Sequence, residues 1–137
     1  MKYEYDHIGY NYRMPNVNAA IGLGQLENLE VKLSKKRKLT ELYINAFSGL
    51  HGVRIFRENA NAKSNYWLQA MILDKENFWA RDEILAECQQ CGLFVRPAWT
   101  PIHQLLPFKL FPRMDLDATG VCAKSLINLP SSPSLVT

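Results

Sequence analysis

Apolar residues recur at helical spacing between residues 17 and 50: Val17, Ala20 and Ile21, then Leu26, Leu29 and Leu33, then Leu39, Leu42, Tyr43, Ala46, Phe47 and Leu50. Recurrence at i, i+3 and i+4 places such side chains on one face, so the pattern predicts one long helix with room for a kink. Pro15 stands where a first helical turn tolerates a missing N–H, and Gly49 and Gly52 predict the stop. The first dozen residues have neither helical nor alternating period, and Gly9 and Pro15 punctuate them as an extended loop.

Downstream the period changes. Residues 53–56 read as a short strand, and residues 65–73, apolar on both alternating faces, as a central covered strand. Asn77 is placed to cap a helix from 78 to about 91 with Ile84, Leu85 and Cys88 inward, ended by Gly92 and followed by a strand at 93–95. Residues 96–112 form a long loop holding Pro97, Pro101, Pro107 and Pro112, in which Trp99, Phe108 and Phe111 argue for ordered packing. Asp115 or Asp117 can cap a helix to about residue 125, and residues 126–129 make a last strand. The expected architecture is α+β: a small sheet covered by helices, with one long helix running across it.

Composition adds bounds. A chain of 137 residues, 47% hydrophobic and 21% charged, suits one domain with a real core. No apolar run approaches the roughly 20 residues a bilayer span needs, and the start lacks the apolar core of a signal peptide, so a cytoplasmic protein without a membrane partner is expected. The net charge of +3 owes much to Lys32, Lys35, Lys36, Arg37 and Lys38. This run reads as a solvated helix surface in preference to a nucleic-acid patch, since no zinc-finger or RNP-type signature accompanies it. Cys88 and Cys91 fall at the C-terminal end of a predicted helix, where the dipole disfavours thiolate; with Cys122 they read as inert packing residues. The first turns are rich in small residues, Ala19, Ala20, Gly22 and Gly24, and each glycine costs a helix interior about 1 kcal/mol against alanine. Close approach of another backbone, within the chain or across a subunit interface, would offset that; a locally irregular helix is the alternative.

No Walker loop, G-x-G-x-x-G, H-E-x-x-H or G-x-S-x-G elbow is present, and His7, His51 and His103 stand at no metal-ligand spacing. Two clusters look like binding surface. Asn11 and Arg13, flanked by Tyr10 and Tyr12, precede a helix start, where a guanidinium adds a bidentate fork to the helix dipole for an anion. A surface arginine in a turn is the alternative. Arg96, Trp99 and His103 follow a strand end and offer a cation, a flat apolar face and a titratable donor suited to a phosphorylated sugar. Here the alternative is structural, with Trp99 packed under the proline loop and His103 tying the loop to backbone.

The stretch from Asp6 to Glu27, with Gly9-Tyr10-Asn11-Tyr12-Arg13-Met14-Pro15-Asn16 at its centre, resembles the DegT/DnrJ/StrS sugar aminotransferases. The resemblance continues through Lys36-Arg37, Tyr43, Ser64-Asn65-Tyr66-Trp67 and Arg96-Pro97 to Leu129-Pro130-Ser131-Ser132-Pro133. It implies the small C-terminal domain of the aspartate-aminotransferase fold (pyridoxal-phosphate fold type I), with residues 1–15 reaching a cofactor and partner site and residues 16–137 forming the domain. Ser64-Asn65-Tyr66-Trp67, Arg96-Pro97-Ala98-Trp99-Thr100 and Pro112-Arg113-Met114-Asp115-Leu116 look most like the branch that aminates C4 of UDP-4-keto-6-deoxy sugars in bacillosamine- and legionaminic-acid-type pathways; perosamine-type enzymes share the first motif.

The resemblance further implies pyridoxal 5'-phosphate as cofactor, a nucleotide-sugar substrate, glutamate as amino donor and a homodimer. It assigns Asn11 and Arg13 to the cofactor phosphate or the substrate diphosphate, and Tyr12, Arg96, Trp99 and His103 to the substrate. None of the nine lysines sits in the family's cofactor-lysine motif. The expectation is therefore a chain truncated at both ends relative to the family, without a catalytic residue of its own and inactive alone. The rival expectations are a non-catalytic dimerisation or binding module and a basic-helix nucleic-acid binder.

Overall fold

The computed structural model describes residues 7–136; expectations for residues 1–6, including Asp6 of the matching stretch, lie outside them. The chain forms two compact units, Met1–Val31 and Lys32–Thr137. In the first, residues 7–15 have no regular structure and lead into α1 (Asn16–Glu27). Pro15 lies one residue before the helix, and its carbonyl accepts the first helical bond from the Ala19 amide at 3.0 Å. The expected single helix is divided: Asn28 leaves helical geometry, its side chain donates to the Gly24 carbonyl at 3.0 Å, and α2 (Leu29–Phe47) begins at the next residue.

No residue of α1 is buried. Within this unit a Cβ placed on Gly22 or Gly24 would meet nothing within 4 Å, so the unit itself supplies no close approach at these glycines.

The second unit is a four-stranded antiparallel sheet ordered β1 (Val53–Ile55), β2 (Gln69–Leu73), β4 (Leu126–Leu129), β3 (Arg96–Pro97). Ile55, Met71 and Ile127 stand side by side across the three longer strands. With Leu73 and Leu129 they make the core, against which Tyr43, Ile44 and Phe47 of α2 and Ile84 and Leu85 of α3 (Arg81–Gln90) pack. Apolar side chains at period two in the strands and at helical spacing in α2 and α3 therefore meet as two layers.

Three expected features change, each because a hydrogen bond other than the expected one forms. The strand expected at 65–73 starts only at Gln69: the Tyr66 and Trp67 amides bond the Ser64 hydroxyl and Asn65 side-chain oxygen, and Tyr66 takes φ +44°. Asn77 caps nothing. A 3-10 turn (Lys75–Ala80) precedes α3, and Asn77 Nδ2 donates instead to the Gly52 carbonyl at 3.2 Å. No strand forms at 93–95, because Gly92 turns at φ +72° and the Leu93 amide returns to the Cys88 carbonyl at 2.8 Å, closing α3. The strand that follows is β3, at the sheet edge where Pro97 is tolerated. Asp115 serves the start of α4 (Asp117–Ser125) from outside the cap position, accepting the Asp117 amide at 2.9 Å. The expected last strand, β4, lies inside the sheet between β2 and β3.

Candidate functional site

In the first unit Arg13 Nε donates to Asn11 Oδ1 at 3.0 Å. That bond fixes the plane of the guanidinium through its inner nitrogen and leaves the two terminal nitrogens for a ligand. The N-terminus of α1 carries no side-chain cap, so the amides of Asn16, Val17 and Asn18 have no helical partner. Asn11, Arg13, Met14, Pro15 and Asn16 border an open cavity of about 490 Å³. A planar fork beside uncapped helix amides suits an oxyanion with several acceptor oxygens. Tyr12 is exposed, its ring 6.0 Å from that of Tyr10 and inclined at 50°.

In the second unit Arg96 is exposed on β3, and His103 is half-buried in a short 3-10 turn (Ile102–Gln104). Trp99 is not packed under the proline loop: it is 71% exposed and stacks on Trp67, with centroids 6.3 Å apart and planes 24° apart. No hydrogen bond, ion pair or ring contact among the described residues joins Arg96, Trp99 and His103 to one another. The Asn128 side chain holds this strand by donating to the Pro97 carbonyl at 3.3 Å.

The basic run corrects the reading of a solvated surface. Lys36 Nζ donates to the carbonyls of Ser131 at 2.7 Å, Trp67 at 3.0 Å and Tyr66 at 3.3 Å, and burial lowers its pKa. Arg37 grips both oxygens of Glu58, at 2.7 and 3.0 Å, donates to the Ser64 carbonyl at 2.6 Å and lies 5.5 Å over the Tyr66 ring. Glu58 also accepts the Ser64 amide, while its own amide donates to the Tyr66 hydroxyl. Two adjacent cations of α2 thus tie down residues 58–67. The signal was in the period: 36, 37 and 40 continue the stripe 33, 43, 44, 47, so these side chains face inward.

The hydrogen bond from Arg37 holds the Glu58 carboxyl below the usual carboxylate range, helped by the Ser64 amide. A depressed pKa contributes stability that is fully present above the ordinary value and lost as pH falls through the folded one. Below the usual carboxylate range, amide exchange at Ser64 is expected to accelerate before that of β4; hydrogen exchange followed by NMR checks the order, and simultaneous loss would contradict it.

Cys88 is half-buried beside an apolar cavity of about 330 Å³, while Cys91 and Cys122 are exposed. Among the described residues no group of three His, Cys, Asp or Glu is placed to hold a metal ion, and no helix is long and apolar enough to cross a membrane.

Comparison with known proteins gives this geometry a context. The GDP-perosamine synthase of Vibrio cholerae is 33% identical over 135 residues, covering 98% of this chain and 36% of the synthase. The UDP-4-amino-4,6-dideoxy-N-acetyl-beta-L-altrosamine transaminase of Campylobacter jejuni (strain 81-176) is 26% identical over 102 residues, covering 74% of this chain and 27% of the transaminase. This chain spans about a third of the length of the curated relatives it matches. Among solved structures, Helicobacter pylori PseC, an aminotransferase involved in the biosynthesis of pseudoaminic acid, superposes with a TM-score of 0.86 at 22% identity, over 96% of this chain and 36% of PseC, which establishes the fold. The sheet and its covering helices are those of a pyridoxal-phosphate aminotransferase small domain, and the family profile matches residues 1–137 from end to end: the chain belongs to the DegT/DnrJ/EryC1/StrS aminotransferase family, whose full-length enzymes use pyridoxal phosphate.

Proposed function

We propose that this chain is the C-terminal part of a cytoplasmic nucleotide-sugar aminotransferase that moves an amino group from glutamate to C4 of a UDP-4-keto-6-deoxy-N-acetylhexosamine. Its share of the work is binding and orientation. The observation that carries this reading is Arg13, held through Nε by Asn11 and bordering the same open cavity as Asn16 at the uncapped start of α1. That donor set fits a phosphate, either of pyridoxal phosphate or of the substrate's diphosphate. When bound, pyridoxal phosphate supplies the electron sink for amino transfer.

The covalent cofactor lysine belongs to the large domain in this reading, and none of the nine lysines here takes its place. The commitment of Lys36 to three carbonyls supports that assignment. Tyr12, Arg96, Trp99 and His103 border the sugar. The uncovered α1, with its open glycines, supports a homodimer in which this helix packs on a second subunit and the loop at 9–16 enters the neighbouring site. The fragment alone is then inactive. A borohydride-fixable visible absorbance on adding pyridoxal phosphate to the chain would overturn the lysine assignment.

In the full-length enzyme Arg13→Met is expected to lower kcat/KM for the nucleotide sugar about thirtyfold, as for loss of a charge-assisted bidentate contact. Unchanged kinetics would remove Arg13 from the site. Running the same assay with UDP-, GDP- and dTDP-linked 4-keto sugars decides the nucleotide, and faster turnover of the GDP sugar would replace the UDP assignment.

A further inference from the structure

The sequence pattern places Trp67 in a strand, yet its surroundings are organised unlike a strand. It is 65% exposed and faces Trp99, while the neighbouring Tyr66 is buried in a left-handed conformation at φ +44°. A non-glycine residue holds that conformation only where its surroundings enforce it. Here they do. Lys36 Nζ takes the Tyr66 and Trp67 carbonyls, Ser131 Oγ adds a second bond to the Trp67 carbonyl at 3.0 Å, and the Trp67 amide is taken by Asn65 Oδ1 at 2.9 Å.

Every backbone polar group of Trp67 is therefore engaged internally, and what remains outward is the indole. Two large aromatic side chains, stacked on one another yet mostly exposed, stand at a place where the backbone is held on every side. Such a surface offers stacking with little edge-on hydrogen-bond reading. A pyranose ring, with an apolar C–H face and hydroxyls at its rim, matches that offer; a nucleobase stacks on such a face as well, and the UDP arm of the test below separates the two.

We propose that Trp67 is a substrate-contacting residue: with Trp99 it forms a rigid platform on which the sugar ring of the nucleotide sugar stacks, and Lys36 is the positioning residue that sets it. This rests on the nucleotide-sugar reading above for the identity of the ligand. It adds a face and a positioning cation to the site.

The test uses the full-length holoenzyme and follows the donor and acceptor half-reactions separately. Trp67→Ala is expected to raise KM for the nucleotide sugar about tenfold, in line with the loss of one stacking partner, with kcat within about twofold. Glutamate should still change the cofactor's absorbance at the wild-type rate, and Trp67→Phe should restore KM to within about threefold. Lys36→Met should reproduce the KM rise while leaving the glutamate half-reaction intact, and a tryptophan-fluorescence change seen with Lys36→Met should be absent when Lys36→Met is made in a Trp67→Phe background. Binding of UDP-N-acetylglucosamine should weaken about tenfold in Trp67→Ala, and that of UDP alone should not change.

An unaltered KM in Trp67→Ala with the glutamate reaction running overturns the platform and leaves the aminotransferase reading standing. Equal weakening of UDP and UDP-N-acetylglucosamine also overturns it, since the base would then be what stacks. If the wild-type enzyme gives no glutamate reaction, the aminotransferase reading fails, and the UDP-N-acetylglucosamine arm still judges the platform.

Discussion

Ile127→Ala is expected to destabilise the second unit by about 3 kcal/mol, read as a lower urea midpoint at unchanged slope. Ile127 is fully buried in β4, beside Met71 on one neighbour and Pro97 on the other. Its removal takes apolar contacts from the core and enlarges the apolar cavity it already lines. Ile127→Val removes one methylene and should cost about 1 kcal/mol. Because β4 also holds β3 through Asn128, the larger substitution should loosen the segment that carries Trp99. A loss under about 1 kcal/mol for the alanine variant would mean that the sheet does not depend on this position.

Gly52→Ala should cost about 2–3 kcal/mol, from two separable causes. At φ +79° a Cβ meets the intrinsic left-handed penalty of about 1–2 kcal/mol. It would also lie 1.8 Å from Asn77 Nδ2, so the amide must swing away and give up its bond to the Gly52 carbonyl, worth about 1 kcal/mol. The Asp74 amide still satisfies that carbonyl, at 2.9 Å, which keeps the loss moderate. In an Asn77→Ala background the same substitution should cost only the backbone share. Equal costs in both backgrounds, measured by denaturant unfolding, would exclude the side-chain clash.

The parts of this fold legible in the sequence are those where one period runs unopposed. Tyr43 and Phe47 of α2, the inner face of α3 at Ile84, Leu85 and Cys88, and the strand at 126–129 follow directly from spacing, whereas Leu42 and Leu50, expected on the same face of the long helix, are exposed and Ile44 packs inward in their place. What spacing could not show is competition from side chains. Ser64 and Asn65 are ordinary polar residues before an apolar run, and only their bonds to the Tyr66 and Trp67 amides delay the strand and present Trp67 to Trp99. Asn77 fits a cap by position, but its amide finds Gly52, distant in sequence, first.

The candidate site divides in the same way. Asn11 and Arg13 are local to one loop, and their pairing is the one a reader of residues 9–16 would draw. Arg96, Trp99 and His103 are grouped by their place along the chain, and no hydrogen bond, ion pair or ring contact among the described residues joins them; the ring partner of Trp99 comes from 32 residues away. Lys36 and Arg37 were hidden by composition, because a cluster of five cations in seven residues looks solvated until the helical stripe is followed through it.

The sheet's two borders govern how the molecule behaves at high concentration. An open sheet edge is a template for another strand, and a run of such additions makes a fibril. One border here is only three residues long and carries exposed Arg54 at its middle, while the other is two residues long and ends in Pro97, which has no amide to donate. Neither offers the length or the donors for a further strand, so clumping through the sheet is disfavoured even when the protein is crowded.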